Sequence, residues 1–228
     1  MPRILGLALL SFATLAQPAL SQTAEPNIMA AQTTAPGGAR IFAMAQDLYL
    51  LGVANKDALT VLTAARLAGS VALQDGAEVK KETRGTAVAG SYDDDSDGPV
   101  TVPQMLDMAK ELAGEDDLIL SLIDDAEVEG ARGRVGGAIQ RLSGLHGGLT
   151  DVWEVPFYGA SQSEVAIIGN GDTNLDVLIT DANGNTVCVD VSASDKMMCD
   201  FVPAENGYFY VTVQNKGESK NSYYLLTN

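Results

Sequence analysis

Leu175-Asp176-Val177-Leu178-Ile179-Thr180-Asp181-Ala182-Asn183-Gly184-Asn185-Thr186-Val187-Cys188-Val189-Asp190-Val191 holds two short runs rich in β-branched residues, separated by the turn dipeptide Asn183-Gly184. That arrangement is the signal of a β-hairpin. In the first run Val177 and Ile179 point one way, while Asp176, Leu178 and Thr180 point the other. This is the alternation of a half-buried strand. The texture extends in both directions. Similar runs are Trp153–Tyr158, Glu164–Ile168, Met197–Val202, Tyr208–Gln214 and Ser222–Leu226, with further turns at Asn170-Gly171, Asn206-Gly207 and Lys216-Gly217. Seven such runs between Asp151 and Asn228 predict an antiparallel β-sandwich or jelly roll.

Cys188 and Cys199 flank Ser192-Ala193-Ser194-Asp195, which reads as a hairpin turn. Folding about Ala193–Ser194 sets the two cysteines opposite each other. The preferred reading is a structural disulfide, against two free thiols or a catalytic pair, because the spacing is not a redox motif. A bridge closing so short a loop contributes about 2–3 kcal/mol.

The C-terminal part resembles the bacterial pre-peptidase C-terminal domain. The stretches that carry the resemblance are Phe157-Tyr158-Gly159, then Gly169 to Asn185, then Phe201-Val202-Pro203-Ala204-Glu205-Asn206-Gly207-Tyr208-Phe209-Tyr210-Val211-Thr212-Val213, with the closing Asn215 and Tyr223. Together they cover about residues 151–228. The resemblance implies a jelly-roll-like sandwich with an accessory role in secretion, solubility or substrate binding. Such domains usually accompany a catalytic domain, and the N-terminal half carries no enzyme motif that identifies one. That half is similar only to exported bacterial proteins of the same helical-plus-sandwich layout.

The chain opens as an export signal. Arg3 precedes the apolar run Ile4 to Leu15, and Pro18-Ala19-Leu20-Ser21 places small residues before a cleavage point after Ser21. The run is too short to span a bilayer. Residues 22–38, rich in Ala, Thr, Pro and Gln, read as a flexible lead-in. A helical domain is expected over 39–126. Its first helix uses Ile41, Met44, Ala45, Leu48 and Leu51 as one face, with Phe42 and Tyr49 beside it. A second helix, capped by Asn55 or Asp57, runs to about Leu73, with Ala58, Val61, Leu62, Ala65, Ala68 and Ala72 facing inward. A third follows from Thr101 or Val102 to Leu112, and a short fourth passes through Leu118, Ile119, Leu122 and Ile123. Residues 127–150, rich in glycine, read as a linker.

A net charge of −16 disfavours nucleic acid and anionic membrane surfaces as partners. The chemistry points away from familiar catalysts. The sequence has a single histidine, His146, set among glycines, and no G-x-S-x-G or H-E-x-x-H motif. Plentiful carboxylates leave a hydrolase with an unrecognised carboxylate site as an alternative. Two oxygen-rich sets are candidate calcium ligands. Asp93, Asp95 and Asp97 match the first positions of an EF-hand loop, but Gln104 stands where a bidentate Glu is expected, and an acidic linker is the preferred reading. Asp172, Asn174 and Asp176, with Asp181 and Asn183 one strand later, offer hard oxygens at alternate positions. Turn chemistry accounts for the same residues without an ion.

The sequence therefore predicts an α+β protein: a small helical domain followed by a jelly-roll-like antiparallel β-sandwich with one disulfide, periplasmic or secreted. The preferred function is a non-enzymatic accessory or binding protein acting on a protein or envelope partner. A calcium-dependent structural module of the envelope and the hydrolase are the alternatives.

Overall fold

The computed structural model describes residues 25–30, 35–77, 79–89, 98–129 and 137–228. The expected export signal with its expected cleavage point, and the Asp93, Asp95 and Asp97 set, lie outside these residues. Among the described residues the helices are α1 (Gly38–Asn55), α2 (Ala58–Gly69), α3 (Val102–Ala113) and α4 (Asp117–Glu129). The strands are β1 (Ala72–Asp75), β2 (Lys80–Gly85), β3 (Gly137–Leu145), β4 (Leu149–Phe157), β5 (Ser163–Gly169), β6 (Leu175–Asp181), β7 (Thr186–Asp190), β8 (Lys196–Phe201), β9 (Gly207–Asn215) and β10 (Asn221–Thr227).

The strands form two five-stranded sheets, β1-β3-β10-β5-β8 (sheet A) and β2-β4-β9-β6-β7 (sheet B). All pairings are antiparallel except β1 with β3. From β3 onward the chain alternates between sheets, save for the β6–β7 hairpin, which gives the strand order of a jelly roll. All seven sequence-predicted runs are strands. The core between the sheets contains Trp153, Val155, Phe157, Ile167, Val177, Ile179, Phe209, Val211, Tyr223 and Leu225. Phe157, Phe201 and Phe209 pack as a cluster with ring centroids 4.9–5.7 Å apart. Such geometry adds to simple area burial.

The helices lie on the outer face of sheet A. One apolar cluster joins Phe42, Ala45, Val61, Ala65, Met105 and Ile123 to Ala138, Ala166, Ile168 and Leu226 of the sheet. Helix α1 differs from its expected orientation. Phe42, Ala45 and Tyr49 are buried, whereas Met44 and Leu51 are 51% and 55% exposed. Close approach selects this face. A Cβ on Gly38 would fall 2.3 Å from the Gly137 carbonyl oxygen, and one on Gly52 would fall 2.7 Å from a Val61 methyl. Helix α2 has the expected inner face and is capped by Asp57, whose side chain accepts from the N–H groups of Leu59 and Thr60. It ends at Gly69, and Ala72 begins β1 instead.

Three further expectations are corrected. Residues 127–150 are not a linker, since they contain the end of α4, all of β3 and the start of β4. The domain expected over 39–126 is not helical alone, since the stretch between its second and third helices contributes β1 and β2 to the two sheets. Of the expected flexible lead-in, residues 25–30 are docked on the sandwich. Met29 N–H donates to the Val202 carbonyl (2.8 Å), Asn27 exchanges hydrogen bonds with Glu205, and Ile28 packs against the inter-sheet core.

Candidate functional site

The outer face of sheet B is a grid set by strand register. One row runs Lys80, Glu154, Tyr210, Thr180, Thr186, and the next runs Glu82, Val152, Thr212, Leu178, Val189. Tyr208 stands one step beyond Tyr210 on the same face, because side chains two apart share a side. The face is therefore charged toward β2 and apolar toward β7. Tyr208, Leu178 and Val189 are 52%, 36% and 60% exposed.

A groove of about 620 Å³ runs along the charged half, lined by β2, β4 and β9 residues that include Lys80, Glu82, Arg84, Glu154 and Tyr210. Its charges are paired along the sheet, Lys80 with Glu154 at 3.0 Å and Arg84 with Glu82 at 2.6 Å. The hydrogen bond from Arg84 holds the Glu82 carboxyl below its ordinary pKa, and the one to Glu154 holds the Lys80 ammonium above its own. Glu82 and Glu154 are diagonal neighbours, a pairing that hydrolytic chemistry would use. A general acid, however, needs a carboxyl whose pKa is raised, and Arg84 acts on Glu82 in the opposite sense.

Inside the sandwich, sequence reasoning overlooked a second polar group. Asp151 is fully buried. It accepts from Tyr223 OH (2.7 Å), Ser143 Oγ (2.9 Å), Thr83 Oγ1 (2.5 Å) and Lys81 Nζ (3.5 Å). Trp153 Nε1–H donates to Tyr223 OH at 2.8 Å, and Lys81 Nζ donates to Ser143 Oγ at 2.9 Å. Lys81 Nζ donates to both Ser143 Oγ and Asp151, and the Ser143 hydroxyl is spent on that same carboxylate. The cluster is a satisfied network, buried at Asp151, Ser143 and Tyr223 and open to solvent at Lys81 and Thr83, that pins β2 and β4 of sheet B to β3 and β10 of sheet A. The inward polar residues Lys81, Thr83, Ser143 and Asp151 broke the period-two apolar pattern that would have revealed it.

The two halves of the second calcium set do not converge. Asp172, Asn174 and Asp176 sit at the start of β6, and Asp181 and Asn183 at its end, about 20 Å along an extended strand. Asp181 is nearly fully buried and accepts from the N–H groups of Asn27, Asn183 and Asn185 and from Asn185 Nδ2, all at 2.8–2.9 Å. Burial pushes its pKa up, but these hydrogen bonds outweigh it and hold the carboxyl below its ordinary value. Asp181 thus organises the β6–β7 turn and anchors the N-terminal segment. At the other end, Asp172 pairs with Asn170 Nδ2 (2.6 Å), and Asp176 with Asn174 Nδ2 (2.9 Å) and Lys216 (3.4 Å). Asn174 Oδ1 is buried with no donor among the described residues. It borders a cavity of about 460 Å³ shared with Asp47, Asp172 and Asp195. No group of three or more His, Cys, Asp or Glu side chains able to hold a metal is found among the described residues. His146 lies at the β3–β4 turn.

The disulfide Cys188–Cys199 is present, with Cα atoms 6.2 Å apart. It does not close a hairpin. Cys188 is on β7, the edge of sheet B, and Cys199 is on β8, the edge of sheet A, so the bond joins the two sheets.

No family model matches the chain, and no curated protein matches it. Solved structures that match include the pre-peptidase C-terminal domain of a collagenase from Bacillus anthracis, at 16% identity and a TM-score of 0.35. The match covers 41% of this chain and 91% of that one. A likeness this loose carries no argument, and the sandwich rests on the strand order of the chain itself.

Proposed function

We propose that this is an exported, non-enzymatic binding protein of the periplasm or cell exterior, related in layout to pre-peptidase C-terminal accessory domains. The outer face of sheet B is its docking surface for a protein partner. The carrying observation is the asymmetry of the sandwich. The helices occupy sheet A, while Tyr208, Tyr210, Leu178 and Val189 stand together on the outer face of sheet B. Tyrosine beside apolar side chains with charge at the rim is the composition of recognition surfaces. The export signal and the inter-sheet disulfide support an oxidising compartment. The test is affinity capture from envelope extract with wild type and with Tyr208→Ala/Leu178→Ala. Loss of one defined partner in the variant supports the reading, and equal retention by both overturns it.

Calcium is a second reading, favoured by the Asn174 carbonyl oxygen buried without a donor beside Asp172. A melt in calcium and in EDTA tests it. A calcium-dependent rise in Tm that Asp172→Ala abolishes supports a site there, and coincident melts remove it.

A further inference from the structure

The end of the sandwich that carries the β6–β7 turn holds the docked N-terminal segment, and Asn27 is read there through every polar group it has. Its main-chain N–H donates to Asp181 Oδ2 at 2.9 Å, and its carbonyl accepts from Ala204 N–H at 3.4 Å. Its side-chain Oδ1 accepts from Glu205 N–H at 2.8 Å, while Nδ2 donates to the Glu205 carbonyl at 3.2 Å. The amide thus satisfies a donor and an acceptor of one residue at once, which an ionised aspartate cannot do because it has no donor. A Cβ on Gly207 would lie 3.1 Å from Asn27 Nδ2, so glycine at that position leaves the amide room. The next residue, Ile28, packs against the inter-sheet core, and Met29 N–H donates to the Val202 carbonyl at 2.8 Å. The two main-chain bonds to Val202 and Ala204 bracket Ile28 and Pro203 in the manner of an antiparallel pair.

The acceptor has supports of its own. Asp181 is held by its turn, accepting from the N–H groups of Asn183 and Asn185 and from Asn185 Nδ2. Pro203 has no N–H to offer, and its carbonyl points away from the segment to accept from Ala160 N–H at 2.8 Å. Gly159 N–H donates to Asn206 Oδ1 at 2.8 Å, which fixes the chain beside Glu205. All of these supports lie in the sandwich between Gly159 and Asn206, so they persist whether or not residues 25–30 are seated. A few polar groups fixed in advance beside an apolar slot give a binding site its orientation and selectivity.

We propose that this end of the sandwich is a recognition site for an extended polypeptide segment carrying Asn followed by an aliphatic residue, and that residues 25–30 are its occupant in cis. The partner is a segment of another protein with that chemistry, which the site admits by exchange for its own. Main-chain bonds to Val202 and Ala204 supply affinity, and the asparagine and aliphatic positions supply selectivity. The cis segment competes at an effective concentration of about 1 mM. The site is separate from the outer face of sheet B, and neither depends on the other.

The test keeps the oxidised chain whole and empties the site with Asn27→Ala/Ile28→Ser. The probe is the peptide Ala-Glu-Pro-Asn-Ile-Met-Ala, which repeats residues 24–30, labelled with fluorescein and followed by polarisation. The expected result is saturable binding to the variant with a Kd below about 1 mM. Wild type, whose own segment competes, should bind at least about tenfold more weakly, as should the same peptide with Asp in place of Asn when offered to the variant. Hydrogen exchange places the contact: the Ala204 and Glu205 amides should lose protection in the variant and regain it with the peptide. Asn27→Ala alone leaves Ile28 in place and serves if the double variant does not fold, with the same loss expected at Glu205. Binding to the variant that is absent, that is equal for the Asn and Asp peptides, or that leaves Ala204 and Glu205 unprotected overturns the proposal. So does equal binding to wild type and variant, or unchanged protection at Glu205 in Asn27→Ala.

Discussion

Glu164, fully buried in β5, accepts hydrogen bonds from the main-chain N–H groups of Gly37 at 2.6 Å and Arg40 at 3.3 Å, where α1 begins. A sheet residue therefore caps a helix from the neighbouring layer. The position is favourable for a carboxylate, because the first N–H groups of a helix lack intrahelical partners and carry partial positive charge. Arg40 also pairs with Asp200 of β8. Glu164→Ala would leave two amide donors without their acceptor at a partly buried interface. The expected loss is about 1–3 kcal/mol, or a Tm lower by about 2–4 °C for each kcal/mol. Glu164→Gln, which keeps an acceptor oxygen, should recover part of it. Thermal melts of the two variants measure both.

The inter-sheet disulfide makes a separate prediction. Its cysteines are 11 residues apart, so opening it should cost about 2–3 kcal/mol through the freedom returned to the unfolded chain. Because the bond joins edge strands of different sheets, Cys188→Ser/Cys199→Ser should raise amide exchange first in β7 and β8. Denaturant midpoints and hydrogen exchange by mass spectrometry check the two parts.

Tyr223 predicts an alkaline limit. Burial, and then the charge of Asp151, raise its hydroxyl pKa well above the ordinary 10.0. The unfolded tyrosine releases its proton near pH 10, while the folded one keeps it. The unfolded state gains as pH rises beyond that point, so stability present below about pH 10 is lost progressively above it. Tyr223→Phe removes this contribution to the alkaline slope. It also costs about 1–3 kcal/mol at neutral pH, by withdrawing a donor from buried Asp151. Urea unfolding of wild type and variant from pH 7 to 11 gives both the slope and the offset.

The legible parts of the sequence were those in which each strand buries one apolar face. Most runs from Trp153 to Leu226 do this, β5 and β10 burying both faces, and Asn183-Gly184 does mark the β6–β7 turn. The three overlooked strands break the rule for identifiable reasons. β2 is an exposed edge of Lys, Glu, Thr and Arg, and β1 is four residues long. β3 turns Arg141 and Ser143 inward, where the pattern expects apolar side chains. The polar network was hidden for the same reason, since inward polar residues read as loop. The face of α1 was misjudged because Met44 and Leu51 outweighed the small residues Gly38 and Gly52, whose lack of bulk decides which side approaches its neighbours. The cysteine pairing followed from spacing, but the crossing between sheets that lies between the cysteines did not.

The central claim is that sheet B, and not the helical layer, presents the docking surface. The direct test places a photo-crosslinking amino acid at position 208 on sheet B, and separately at position 118 on α4, where Leu118 is 72% exposed. Both proteins are irradiated in the intact cell envelope. The account predicts a discrete adduct from position 208 that disappears when Leu178→Asp is added, and none from position 118. An adduct from position 118 with none from position 208 would contradict it.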